Sequence, residues 1–129
     1  MAANKFRLLI LVLLLFVISG CGAGNWNRYE LYFGLSAEGG KTEISEQQWA
    51  NFMQTEIAPA FSDGFTIYNS SGFWNEDGRT YAEKSKVLMV VSPDSETDLK
   101  INNIAQSYKA MFEQDSVLKL VNPVQVEFR

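Results

Sequence analysis

Leu8 to Ile18 is an unbroken apolar run of eleven residues, and it divides the chain before any fold can be considered. Such a run is too short to span a bilayer core of ~30 Å as a helix and has the size of the hydrophobic region of a signal peptide. The seven residues before it contain Lys5 and Arg7 and no acid. Everything that can build a folded core therefore lies downstream.

The run closes in Ile18-Ser19-Gly20-Cys21. An aliphatic residue, two small residues and a cysteine resemble the bacterial lipobox. That resemblance implies a diacylglyceryl group on the Cys21 thiol, cleavage before it, and Cys21 as the first residue of the mature protein. An ordinary secretory signal cut nearby, or an uncleaved anchor helix, are the other readings of the same stretch. Cys21 is the only cysteine, so it cannot form an intramolecular disulfide, and acylation removes an unpaired thiol from an oxidising compartment. Two or more acyl chains anchor a protein stably where one chain does not. Gly22, rather than Asp, follows the cysteine, which favours a periplasm-facing outer-membrane lipoprotein if the cell has two membranes. The expected organisation is a signal peptide over 1–20, a lipidated cysteine and tether over 21–28, and one domain over 29–129. Trp26, within the tether, can dock on the domain or at the lipid interface.

Loss of the signal removes two of the 11 basic residues and none of the 15 acidic ones, leaving 9 against 15 and a net charge of about −6. An acidic domain without a basic run is not expected to bind nucleic acid, and anchoring to a membrane falls to the lipid. The chain has no histidine. That excludes Ser-His-Asp triads, histidine metal ligands and the usual neutral-pH general base. With Cys21 acylated, thiolate chemistry goes as well.

Beyond the tether the pattern alternates between period 2 and period 3.6. Tyr29, Leu31, Phe33 and Leu35 alternate with Glu30, Tyr32 and Gly34, which predicts a strand. Ser45 and Gln48 form a capping-box pattern, flanked by a hydrophobic staple of Ile44 and Trp49. Trp49, Phe52, Met53, Ile57 and Ala60 continue it as a helical stripe that ends near Pro59. Phe65 to Asn69 reads as a strand, with a bend or bulge expected at Ser70-Ser71-Gly72. Asp77-Gly78 is a strong hairpin turn into a strand over Thr80 to Ser92. Ser95, with Glu96 and Asp98 behind it, is expected to open a second helix whose stripe is Ile101, Ile104, Ala105, Tyr108 and Phe112. Val117 to Val121 predicts a last strand, broken by Pro123 before an extended segment through Val124, Val126 and Phe128.

The order β-α-β-β-α-β predicts an α+β fold: a ferredoxin-like antiparallel sheet with both helices on one face and a C-terminal extended segment. Val87 to Val91 is apolar on both faces, and Tyr32, Tyr68, Trp74 and Tyr81 are expected on the face that no helix covers. An apolar face of that size needs a cover. A second copy packing sheet to sheet is one cover, with room for a small molecule between the sheets. The tether and the C-terminal segment are another.

Several stretches resemble the bacterial family known as domain of unknown function 3574. They are Glu30 to Ser36, the helix start from Ser45 to Phe52 with Trp49, Asp63-Gly64-Phe65-Thr66, Gly72-Phe73-Trp74, Glu83 to Leu88, Tyr108-Lys109 and Gln114 to Leu118. Ser62 and Phe73 depart from the pattern, one in a turn and one in a strand. The resemblance implies a secreted or lipid-anchored protein and carries no established activity.

Candidate chemistry is sparse. Glu83 and Ser85 alternate away from Lys86, which argues against a Ser-Lys dyad and leaves surface charges at a strand entrance. Asp94, Glu96 and Asp98 lack the spacing and glycine of an EF-hand and are expected to cap a helix instead. No catalytic residue, metal site or cofactor is predicted. Tyr32, Tyr68, Trp74 and Tyr81 are the candidate ligand or interface residues, and Cys21 is the lipidation site. The leading expectation is a non-enzymatic binding or interaction module in the cell envelope. The alternative is a small enzyme of dimeric α+β barrel type, monooxygenase- or isomerase-like, with a Tyr or Glu in an inter-sheet pocket.

Overall fold

The structure, a computed structural model, describes residues 25–37 and 41–129. The expected signal segment and Cys21 lie outside the described residues. Among those described, no helix is long and apolar enough to cross a membrane.

Strand β1 (Asn27–Gly34) is the axis of the fold, and it starts inside the stretch expected as tether. Its odd-numbered side chains Tyr29, Leu31 and Phe33 are buried against the helices, as the alternation requires. Two-residue strands β2 (Ser36–Ala37) and β3 (Thr42–Glu43) pair beside it and lead into helix α1 (Glu46–Phe52). The capping box is complete: the Gln48 N–H donates to Ser45 Oγ at 3.2 Å, and the Ser45 N–H donates to Gln48 Oε1 at 2.9 Å. The helix then widens into a π turn over Met53–Ile57, where the Ala58 N–H reaches back five residues to the Met53 carbonyl. Pro59 follows, with no N–H to continue the ladder.

Strand β4 (Thr66–Glu76) and strand β5 (Arg79–Ser92) form one long hairpin, followed by α2 (Thr97–Phe112) and β6 (Leu118–Pro123). The sheet order is β4-β5-β1-β6, with every pairing antiparallel. Each helical crossover skips one strand and both helices lie on one face, so the ferredoxin-like reading of the sequence holds. Asp77 and Gly78 turn the hairpin with φ of 50° and 76°, the left-handed pair that a two-residue turn needs.

The core is aromatic. Phe33, Trp49, Phe52, Tyr108 and Phe112 pack ring on ring, with the Phe33 and Tyr108 centroids 4.6 Å apart. The buried Tyr108 hydroxyl donates to the Gly34 carbonyl at 2.7 Å, which fixes α2 to the end of β1.

Four local expectations are corrected. The bulge at Ser70-Ser71-Gly72 is absent: the β4–β5 register runs without a break from Thr66↔Met89 to Glu76↔Arg79, because the two-residue turn already sets it. Ser95 does not cap α2. The Asp94 carboxylate takes the Glu96 N–H at 2.9 Å and the Asp94 carbonyl takes the Thr97 N–H, so the turn closes one residue earlier. β6 spans Leu118–Pro123 instead of Val117 to Val121; Pro123 ends it as expected, pairing with Asn27 on an edge strand where a missing N–H faces no neighbour. Lys86 is no surface charge. It is 6% exposed on the helix side, where its ammonium donates to Glu46 and Asn69.

Candidate functional site

No helix covers the second face of the sheet, and β1 presents Arg28, Glu30 and Tyr32 to it. The register sets their neighbours. Arg28 lies between Val91 and Asn122, Glu30 between Met89 and Leu120, and Tyr32 between Val87 and Leu118. A short polar row thus runs down the middle of an apolar surface.

The row is internally satisfied. The Arg28 guanidinium donates to Glu30 Oε1, and the Tyr32 hydroxyl donates to Glu30 Oε2 at 2.8 Å. Glu30 is only 4% exposed and Val87 is fully buried, although both belong to the helix-free face. Long neighbouring side chains shield them. The hydrogen bond to Glu30 is the main reason that the Tyr32 phenol is pushed up to about 12, with loss of water and the nearby Tyr68 adding to it. Its own hydrogen bond to Glu30 raises the Arg28 guanidinium above its ordinary value.

The chemistry available here is limited. A phenol that keeps its proton to about pH 12 is no general base near neutrality, and a carboxylate with a donor on each oxygen is held as an acceptor. The arrangement suits recognition and contact.

The four candidate residues do share this face, but they fall into two pairs. Tyr32 and Tyr68 flank Val87 from either side. Trp74 and Tyr81 oppose each other on the distal hairpin and stack with centroids 5.6 Å apart and planes at 17°. Six residues separate the pairs along the strands, about 20 Å at the usual rise. β1 pairs with β5 only as far as Gly34↔Ser85, so beyond that point β4 and β5 project as a two-stranded arm.

Arg28 and Glu30 are the residues of this face that sequence reasoning missed. Opposite charges two residues apart on one strand share a face, and that signal was available. The ion pair stayed hidden because Arg28 reads as tether. Asp94, Glu96 and Asp98 do not converge: Asp94 approaches Lys100, and Asp98 accepts from Lys119, which holds its carboxyl below the usual range. Among the described residues no group of three or more acids could hold a metal ion.

The C-terminal segment covers little of the helix-free face. Leu118 and Leu120 remain 55% and 38% exposed, and Tyr68 and Val91 are exposed as well. The segment lies instead at the end of the sheet, where the Val124 N–H donates to the Trp26 carbonyl and Phe128 meets the Trp26 ring at 6.0 Å. A cleft of about 730 Å³ opens there.

An antiparallel βαββαβ sheet with this register, and with the sequence stretches that build it, defines an α+β protein of the ferredoxin-like class. Residues 28–128 match the family described as "Protein of unknown function (DUF3574)", and the chain belongs to that family. Among curated protein sequences, none matches. Among solved structures, a phage SAM lyase in complex with S-methyl-5′-thioadenosine is similar, at 16% identity and a TM-score of 0.58 over 84% of this chain and 88% of that one. The periplasmic divalent cation tolerance protein CutA from Archaeoglobus fulgidus is similar at 13% identity and a TM-score of 0.51, over 81% and 88%. CutA from Synechococcus elongatus follows at 9% identity and a TM-score of 0.50, over 79% of each chain. At such identities the likeness establishes the fold alone.

Proposed function

We propose that this protein is a lipid-anchored binding module of the bacterial cell envelope, held through Cys21 and working through its helix-free sheet face closed against a second copy. The observation that carries the reading is that face: an apolar surface around a self-neutralised Arg28–Glu30 pair, with Leu118, Leu120, Tyr68 and Val91 open to solvent.

Its size fits a subunit contact. Four strands about eight residues long present roughly 500 Å² of sheet, and the arm adds about 200 Å². Together they approach the ~800 Å² that each partner contributes to a standard interface. Charge selects the partner. Two copies of an acidic domain repel through most of their surface, whereas the centre of this face carries one cation against one carboxylate and can approach its own copy at little electrostatic cost.

The enzyme alternative needs a free acid or base between the sheets. Tyr32 and Glu30 are engaged with each other, and the binding reading accounts for both without further groups.

Two experiments test the halves of this reading. Cys21→Ser should abolish fatty-acid labelling and release the protein from the membrane; continued labelling sinks the anchor. A photo-crosslinking residue in place of Leu118 in the full chain should trap a product of twice the mature mass in cells. Adducts with another protein alone would replace the second copy by a different partner, and no adduct at all would remove the face as a contact surface.

A further inference from the structure

The end of the sheet where the chain enters carries a second surface with a distinct occupant. Trp26 and Phe128 meet in a T-shaped contact with centroids 6.0 Å apart, and Phe128 is 84% exposed, the most exposed large apolar side chain among the described residues. The Val124 N–H bond to the Trp26 carbonyl, at 2.9 Å, fastens the C-terminal segment beside the point of entry. This surface adjoins the helix-free face, sharing Arg28, Met89 and Val91 with it, and gathers the loop around Asp63, the start of β1, the end of β5 and the tail around one cleft.

We propose that this end of the domain is its membrane-facing surface, with Trp26 and Phe128 seated at the head-group level of the bilayer that carries the Cys21 lipid. The inference rests on the lipid-anchor reading above. The argument is one of reach. Trp26 stands five residues after Cys21, so the chain can separate them by at most about 18 Å even when fully extended. An acylated Cys21 is fixed at the interface, and the Trp26–Phe128 pair is then the aromatic surface held nearest to it. Tryptophan favours that depth because its ring is apolar with one polar edge. Charge raises little opposition, because most charges at the cleft are paired locally: Arg28 with Glu30, Lys100 with Asp94 and Glu127 with Arg129, beside Asp63. Two aromatic contacts in addition to the acyl chains would fix how the domain stands on the membrane, and so leave the helix-free face pointing sideways along it, free to meet a neighbour.

The test uses the full-length acylated protein, reconstituted in phosphatidylethanolamine–phosphatidylglycerol vesicles containing brominated phosphatidylcholine, with tryptophan fluorescence as the readout. Trp49 is buried in the core and Trp74 lies on the distal arm, so each ring reports a different place. Quenching of the native protein should persist in Trp74→Phe, be largely lost in Trp26→Phe, and weaken in Phe128→Ser. Quenching that survives Trp26→Phe and disappears in Trp74→Phe would turn the domain over and overturn the proposal. So would absence of quenching in protein whose intact mass includes the acyl groups. A mass without acyl groups would mark failure of the anchor reading itself.

Discussion

Arg28 and Glu30 sit two residues apart on one strand and form an ion pair on the side of the sheet that no helix covers. Glu30 also takes the Tyr32 hydroxyl, so three consecutive outward positions of β1 are tied together across an apolar surface. The Glu30 carboxylate can be shielded from water there because both of its oxygens accept hydrogen bonds, one from the exposed Arg28.

Tyr32 should titrate as a consequence. Its folded-state value of about 12 lies above the ordinary 10.0, so the native state holds the proton more tightly than the unfolded chain. The stability it contributes is complete below about pH 10 and is lost as pH rises through about 12. Glu30→Gln should move the Tyr32 midpoint down toward its ordinary value, read from the ring carbon next to the hydroxyl by NMR. An unmoved midpoint would mean that the hydrogen bond to Glu30 is not the cause.

A side chain at Gly34 should displace the Glu83 carboxylate. A Cβ there would stand 2.6 Å from Glu83 Oε1, and that same oxygen accepts the Ser36 N–H at 3.1 Å. Gly34→Ala swings the flexible carboxylate aside and breaks that bond, at a cost of about 0.5–1.5 kcal/mol in denaturant unfolding. In a Glu83→Ala background the same change should cost clearly less, which a double-mutant cycle measures. Equal costs in both backgrounds would place the strain elsewhere.

Tyr108 joins core and sheet. Tyr108→Phe keeps the ring among Phe33, Phe52 and Phe112 and removes only the donor to the Gly34 carbonyl, for about 0.5–1.5 kcal/mol. Tyr108→Ala removes the ring too and should cost about 3–5 kcal/mol. Thermal unfolding of both variants checks the order; a Phe variant as unstable as the Ala variant would contradict it.

The legible features were those written in local periods. The alternation of Tyr29, Leu31 and Phe33, the capping box of Ser45 and Gln48, and Asp77-Gly78 each specify their structure within a few residues, and together they dictated the sheet order. What escaped depended on partners far along the chain. Lys86 looked like a surface charge because Glu46 and Asn69, its partners, are remote in sequence. The Asp94 turn escaped because serine and aspartate compete for the same backbone donors. The candidate residues were placed on the correct face, yet their division into two pairs followed only from the unbroken β4–β5 register, which the expected bulge would have shifted.

The central claim is that the helix-free face meets a second copy, and native mass spectrometry of the full-length protein released gently from membranes in detergent tests it most directly. The account predicts a dimer that Leu118→Glu together with Leu120→Glu converts to monomer, since each copy would then bury acids against an apolar surface. A native protein that is already monomeric at the same concentration, or a dimer indifferent to both substitutions, would contradict it.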